Sequence, residues 1–178
     1  VIIPVYNSVN YVGEAIRSVQ EQSLDRDAIE ILAVDDGSTD GGGELLAEMA
    51  AEDPRIRLLT QENSGTPGGA RNPAIDIARG EFVFFLDSDD TLTPDALRDM
   101  LRMADAEDSD VVLGKLGSLD ARAAPASMFK RTVADADLVE DNIFNTLRPS
   151  KLIRRTLIDE LELRFPTDQK VGEDQPFM

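Results

Sequence analysis

The sequence predicts an α/β fold, a mostly parallel central sheet with helices on both faces, and three observations carry that expectation. Short apolar runs alternate with segments of helical periodicity, the order that winds a parallel sheet through right-handed crossovers. One run, Phe82-Val-Phe-Phe-Leu86, is continuously apolar between Gly80-Glu81 and a cluster of acids, as a strand covered on both faces would be. Polar clusters follow the first four strands, and in open α/β sheets ligands bind outside the carboxyl ends of the strands.

Taken in order, Val1 to Val5 is the first strand, closed by Pro4 and the turn formers Asn7, Ser8 and Asn10. Val9, Val12, Ile16 and Val19 recur at helical spacing, so residues 9–22 read as an amphipathic helix. Ile29 to Val34 is the second strand, and Asp35-Asp-Gly-Ser-Thr-Asp-Gly41 is a turn. Leu45, Leu46 and Met49 line a second helix, which Pro54 terminates. Ile56 to Leu59 is the third strand, Glu62 to Gly69 a loop with three glycines, and Ala70 to Ala78 a helix that Gly80 closes.

After the 81–86 strand, Thr93 is the expected N-cap of a helix from Pro94 to about Ala104, with Leu97 and Leu101 inward. Val111 to Leu113 is a further strand, and Asp120 to Pro125 reads as a loop. Ser127 to Phe129 and Asn142 to Leu147 fit either strand or loop, and Ser150 to Ile158 reads as a capped helix. Glu173-Asp174 would open another helix.

With 178 residues and 42% hydrophobic composition the chain suits one domain with a full core. It begins inside a strand and stops at Pro176-Phe-Met178 in mid-pattern, so it reads as a piece of a longer protein. No run reaches the roughly 20 apolar residues of a membrane span. Cys and His are absent, which removes disulfides, Cys/His zinc sites and every Ser-His or Cys-His pair, and leaves general-base work to a carboxylate, Lys or Tyr. A net charge of -17 argues against non-specific binding to nucleic acid or anionic membranes.

The chemistry concentrates in Asp87-Ser-Asp-Asp90 at the end of the buried strand. Carboxylates about 5 Å apart repel by roughly 3 kcal/mol per pair at an effective dielectric of 20, a cost that a divalent cation reverses. Tyr6-Asn7, Asp35-Asp36 and Asn63 to Asn72 occupy the corresponding places after the other three strands, so all four clusters project over one sheet edge. Each alone is an ordinary turn or helix cap; their convergence points to a site.

These residues carry a resemblance. Val1-Ile-Ile-Pro-Val-Tyr-Asn7, Val34-Asp-Asp-Gly-Ser-Thr-Asp40, Glu62-Asn-Ser-Gly65 with Ala70-Arg-Asn72, Leu86-Asp-Ser-Asp-Asp90 and Gly172-Glu-Asp174 look like the ordered motif set of family 2 glycosyltransferases with the GT-A fold, a Rossmann-like sandwich. The resemblance spans essentially the whole chain and implies one GT-A catalytic domain, with a nucleotide-binding half (1–90) and an acceptor-side half (91–178). It implies inverting transfer from a UDP-sugar, assisted by Mn²⁺ or Mg²⁺. By the same resemblance Pro4, Tyr6 and Asp36 line the uracil pocket, while Asn7, Asn63 and Gly65 belong to the substrate-binding set. Arg71 approaches the nucleotide or diphosphate, and the 65–69 glycines let backbone come close to it. Asp87 and Ser88 face ribose and sugar, Asp89 holds the metal, and Asp174 is the catalytic base with Glu173 beside it.

Glu62-Asn-Ser-Gly-Thr-Pro-Gly-Gly69, Ala126-Ser-Met-Phe-Lys130, Leu147-Arg-Pro-Ser-Lys151, Phe165-Pro and Glu173-Asp-Gln175 look like the wall teichoic acid transferases that place N-acetylglucosamine on poly(ribitol phosphate). Gly69 stands where that group usually carries a Lys. The implied acceptor is a hydroxyl of a glycan or polyol-phosphate cell-wall polymer, and the implied location is cytoplasmic, with peripheral attachment at the inner membrane face as a variant. Two rivals are a catalytically degenerate module that only binds a nucleotide sugar, and a sugar-phosphate nucleotidyltransferase. The first would lose Asp89 or Asp174; the second would carry a Gly-rich basic loop straight after the first strand, where this chain has Tyr6-Asn-Ser-Val-Asn10.

Overall fold

The computed structural model describes residues 1–114, 133–134 and 151–167. In chain order it contains β1 (Ile2–Val5), α1 (Val12–Gln20), β2 (Ile31–Asp35), α2 (Gly42–Glu52), β3 (Ile56–Thr60) and α3 (Pro67–Ile77). These are followed by β4 (Phe82–Phe84), α4 (Ala96–Glu107), β5 (Val111–Leu113), β6 (Lys151–Arg154) and α5 (Arg155–Glu160). The segments expected at Asp120 to Pro125, Ser127 to Phe129 and Asn142 to Leu147, with Glu173 and Asp174, lie outside the described residues.

β1, β2 and β3 pair in parallel, with Ile3 opposite Ala33 and Ala33 opposite Leu58. A parallel bridge from Ile2 to Phe85, with the Leu86 NH donating to the Ile2 carbonyl at 3.0 Å, joins β1 to β4. β6 then lies antiparallel between β4 and β5. The strands alternate strictly, and both faces are apolar. Ile3, Val5, Ile31, Ala33, Phe84 and Leu152 meet α1, α2 and α4 through Ile16, Leu46 and Leu97. Ile2, Leu32, Val34, Val83 and Phe85 meet α3, α5 and Phe165 on the other face. Two covered faces explain why the 82–86 run holds no polar residue.

The structure corrects four local expectations. Residues 150–158 are not one helix: Lys151–Arg154 forms the strand β6, and only Arg155–Glu160 is helical. Leu152 and Ile153 are then sent to opposite faces of the sheet, where both are buried. Gly80 does not close α3, whose C-cap is Ala78 in extended conformation, because the chain must run straight on into β4. Thr93 is not the N-cap of α4; that position falls to Asp95, and the Thr93 carbonyl instead accepts from Gln22 at 2.7 Å and ties α1 to this loop. The helix expected from Ala70 starts three residues earlier, at Pro67, because the Thr66 hydroxyl accepts from the Gly69 NH and proline at the first position supplies the helical φ.

Candidate functional site

A cleft of about 600 Å³ opens at the carboxyl ends of β1, β2 and β4 and is closed on one side by the start of α3. Pro4, Tyr6, Asp36, Asn63, Gly65, Arg71, Asp87, Ser88 and Asp89 all line it, so most of the sequence-derived set converges on one space. The loops that form its wall are stitched together. The Asn7 NH donates to Ser38 Oγ at 3.1 Å and Asn7 Oδ1 accepts from the Thr39 NH at 2.8 Å. The Val9 NH donates to Asp40 Oδ2 at 2.9 Å, and this bond holds the Asp40 carboxyl below its ordinary pKa. Asn7 therefore braces the wall with its side chain and is not among the residues that line the cleft.

Asp36 is 4% exposed, yet it reaches the cleft. Its Oδ1 accepts from Gln61 Nε2 at 2.5 Å and from the Ser64 NH at 2.9 Å, while Ser64 Oγ lies 2.9 Å from Oδ2. A charge-assisted set of this kind fixes the carboxylate as an acceptor. Tyr6, half exposed beside Pro4, offers a flat apolar face on the same wall.

Arg71 is buried at the base of the cleft, where its Nη2 donates to Asp87 Oδ1 at 2.6 Å and its guanidinium lies 5.1 Å from the centroid of the Phe165 ring. Phe165 in turn meets Phe85 edge to face at 5.1 Å. Asn72 holds Phe165 by both backbone groups: Nδ2 donates to its carbonyl and Oδ1 accepts from its NH, each at 2.9 Å. Of the glycines expected to make room for a ligand, only Gly65 lines the cleft; its φ is +81° and no atom lies within 4 Å of where a Cβ would stand. Gly68 and Gly69 serve the fold, since a Cβ on the former would press Phe165 and on the latter would collide with Ser64.

Asp87, Asp89 and Asp90 each bring one carboxylate oxygen to within 4.8 Å of the others. Mg²⁺ or Mn²⁺ at about 2.1 Å from its ligands spans oxygens up to roughly 4.2 Å apart, a little less than the limit within which these three oxygens lie. The donor set is all hard oxygen, as these ions require. Sequence reasoning put the Asp87 to Asp90 carboxylates together as a cation cluster, and the resemblance named Asp89 alone as the ligand. Sequence reasoning missed Gln61 and Ser64 behind Asp36, and Asn72 and Phe165 behind Arg71; Asn72 and Phe165 stood in quoted motifs without a role.

Comparison with known proteins shows the family and the fold. The model of the family described as Glycosyl transferase family 2 matches residues 1–161. The poly(ribitol-phosphate) beta-glucosyltransferase of Bacillus spizizenii is 40% identical over 178 residues, 99% of this chain and 28% of that protein. The poly(ribitol-phosphate) beta-N-acetylglucosaminyltransferase TarS of Staphylococcus aureus is 37% identical, over 99% of this chain and 31% of that protein. The chain thus spans less than a third of the length of these relatives. The crystal structure of S. aureus TarS 1–349 in complex with UDP superposes with a TM-score of 0.91 at 36% identity, over 98% of this chain and 52% of that one. The chain belongs to glycosyltransferase family 2 and has the GT-A fold.

Proposed function

We propose that the protein containing this chain transfers a hexose from a UDP-sugar to a hydroxyl of a polyol-phosphate polymer, with inversion at the anomeric carbon and divalent-cation assistance. The observation that carries this reading is the meeting of Asp36, Arg71 and the Asp87, Ser88 and Asp89 loop in one cleft at the strand ends. The relatives' names support the acceptor class, and a solved S. aureus TarS 1–349 in complex with UDP-GlcNAc supports the donor class. Those names split the sugar between glucose and N-acetylglucosamine. Such a reaction belongs in the cytoplasm or at the inner face of the membrane; among the described residues no helix is long and apolar enough to cross one.

In this mechanism the uracil lies along Pro4 and Tyr6 and donates its N3–H to Asp36. Arg71, seated on Phe165, sets Asp87 and adds positive charge beside the diphosphate. Asp89, with Asp87 and Asp90, would hold Mn²⁺ or Mg²⁺, which when bound stabilises the charge gathering on the departing diphosphate. The acceptor hydroxyl oxygen bonds to the anomeric carbon as the bond to the diphosphate oxygen breaks, the electron pair leaving with UDP. A chain without His uses a carboxylate to take the hydroxyl proton, and Asp174 is the proposed base, with Glu173 adjacent.

The test is acceptor-dependent UDP release by the full-length protein, supplied with a panel of UDP-sugars and poly(ribitol phosphate) and followed by the mass gain of the polymer. One UDP-hexose giving both signals supports the proposal. Tight UDP-sugar binding with neither signal would make the protein a nucleotide-sugar-binding module instead.

A further inference from the structure

We propose that Gln61 is a specificity-determining residue of the nucleotide pocket. Its side-chain amide holds Asp36 as an acceptor-only carboxylate and thereby selects uracil over cytosine. The inference rests on the reading of Asp36 as the base contact, and it names the group that sets what Asp36 can do.

Gln61 directly follows β3, and its backbone NH donates to the Asp35 carbonyl at 3.0 Å, which fixes where its side chain starts. The amide nitrogen stands 2.5 Å from Asp36 Oδ1 and 3.5 Å from the Gly69 carbonyl. That carbonyl is one a helix would pair with residue 73, but Pro73 has no NH to give. Both neighbours of the Gln61 amide are therefore acceptors, so the nitrogen must face them. The loop is also fixed from the side: Gly37 has φ of +74°, and a Cβ there would stand 2.9 Å from the Asn63 nitrogen.

The consequence is chemical. A carboxylate oxygen accepts about two hydrogen bonds. Oδ1 of Asp36 is filled by Gln61 and the Ser64 NH, and Oδ2 keeps one direction beside the Ser64 hydroxyl. The two donors at Oδ1 oppose rotation of the carboxylate. A carboxylate held in this way can accept from the N3–H of uracil and has nothing to give the bare N3 of cytosine. Without the amide, the group could turn and lose its fixed aim at that N3–H. The other charged and titratable groups that line the same cleft, among the described residues, are Tyr6 after β1, Arg71 of α3, and Asp87 and Asp89 after β4.

The experiment is competition between UDP and CDP for the full-length protein at one Mg²⁺ concentration, where the shared diphosphate cancels and the ratio reports the base. The parent should prefer UDP by about tenfold or more. Gln61→Leu should cut that preference by about fivefold or more, the loss of one charge-assisted donor. Gln61→Glu should make the preference pH-dependent. Near pH 5.5 the adjoining carboxyls share a proton, the new one donates as the amide did, and the ratio approaches the parent's; by about pH 8.5 both ionise and the ratio falls. The parent ratio should be flat across that interval. Should Gln61→Leu fold poorly, Gln61→Glu still decides, because one protein is compared with itself. Asp36→Asn separates the two levels. If it leaves the parent ratio intact, the base contact itself is misplaced. If it abolishes the ratio while Gln61→Leu stays within about twofold of the parent and Gln61→Glu shows no pH dependence, the Gln61 proposal fails and the base contact stands.

Discussion

Replacing Gly68 with alanine sets two effects of opposite sign against each other at the seam between α3 and the segment after α5. Helix propensity alone favours alanine by about 1 kcal/mol. The new methyl, however, would stand 2.6 Å from Phe165 Cβ and 3.2 Å from the Pro166 carbonyl. Phe165 has little room to retreat: it is 2% exposed, tied by two 2.9 Å bonds to Asn72, and wedged against Phe85 and Arg71. Overpacking of this kind costs about 1–3 kcal/mol, so the net effect should be destabilising by roughly 1 kcal/mol, and 2 at most. A shifted Phe165 also displaces the guanidinium it carries, so UDP should bind about threefold more weakly or worse. Urea denaturation with the m-value monitored gives the first quantity, and calorimetric titration with UDP the second. A variant more stable than the parent by about 1 kcal/mol, as propensity alone dictates, would refute the packing account.

Asn72→Ala removes both bonds to the Phe165 backbone and should lower stability by about 2 kcal/mol in the same urea assay, at roughly 1 kcal/mol per bond. Asp53 is buried, and the Arg55 guanidinium, with Gln20 behind it, holds its carboxyl well below the usual carboxylate range. Because the folded-state value is depressed, its contribution is complete above the unfolded carboxylate pKa of about 4 and is lost as pH falls through the lower folded value. The stability gap between parent and Asp53→Asn, about 1.5–3 kcal/mol at pH 7, should hold down to about pH 4 and narrow below it; a gap that widens in acid would contradict this. Asp174→Asn keeps shape but removes basicity, so transfer should fall by about 10² to 10⁴-fold while UDP-sugar affinity, measured alongside, survives.

What the sequence made legible follows from range. The Phe82–Leu86 run, the strand–helix alternation and the acids after β4 are local patterns, and the structure places them as expected. β6 was read as helix because Leu152 and Ile153 between basic residues fit either period, and only its pairing with strands 40 and 70 residues earlier decides. Gly80 and Thr93 carry the local signatures of caps, which the course of the neighbouring chain overrides. Tyr6, Asp36, Arg71 and Asp89 could be named from motifs. Their supports could not, since Gln61 reaches Asp36 across 25 positions and Phe165 reaches Asn72 across 93, with no spacing to announce either contact.

Calorimetric titration of the full-length protein with UDP, in Mn²⁺ and then in EDTA, bears most directly on the claim that Asp36, Arg71 and the Asp87, Asp89 and Asp90 oxygens form one nucleotide-diphosphate site. UDP should bind tightly with the metal and weakly without it, and Asp89→Ala should erase the difference. Equal affinity in both buffers, or a metal effect that survives Asp89→Ala, would contradict that claim.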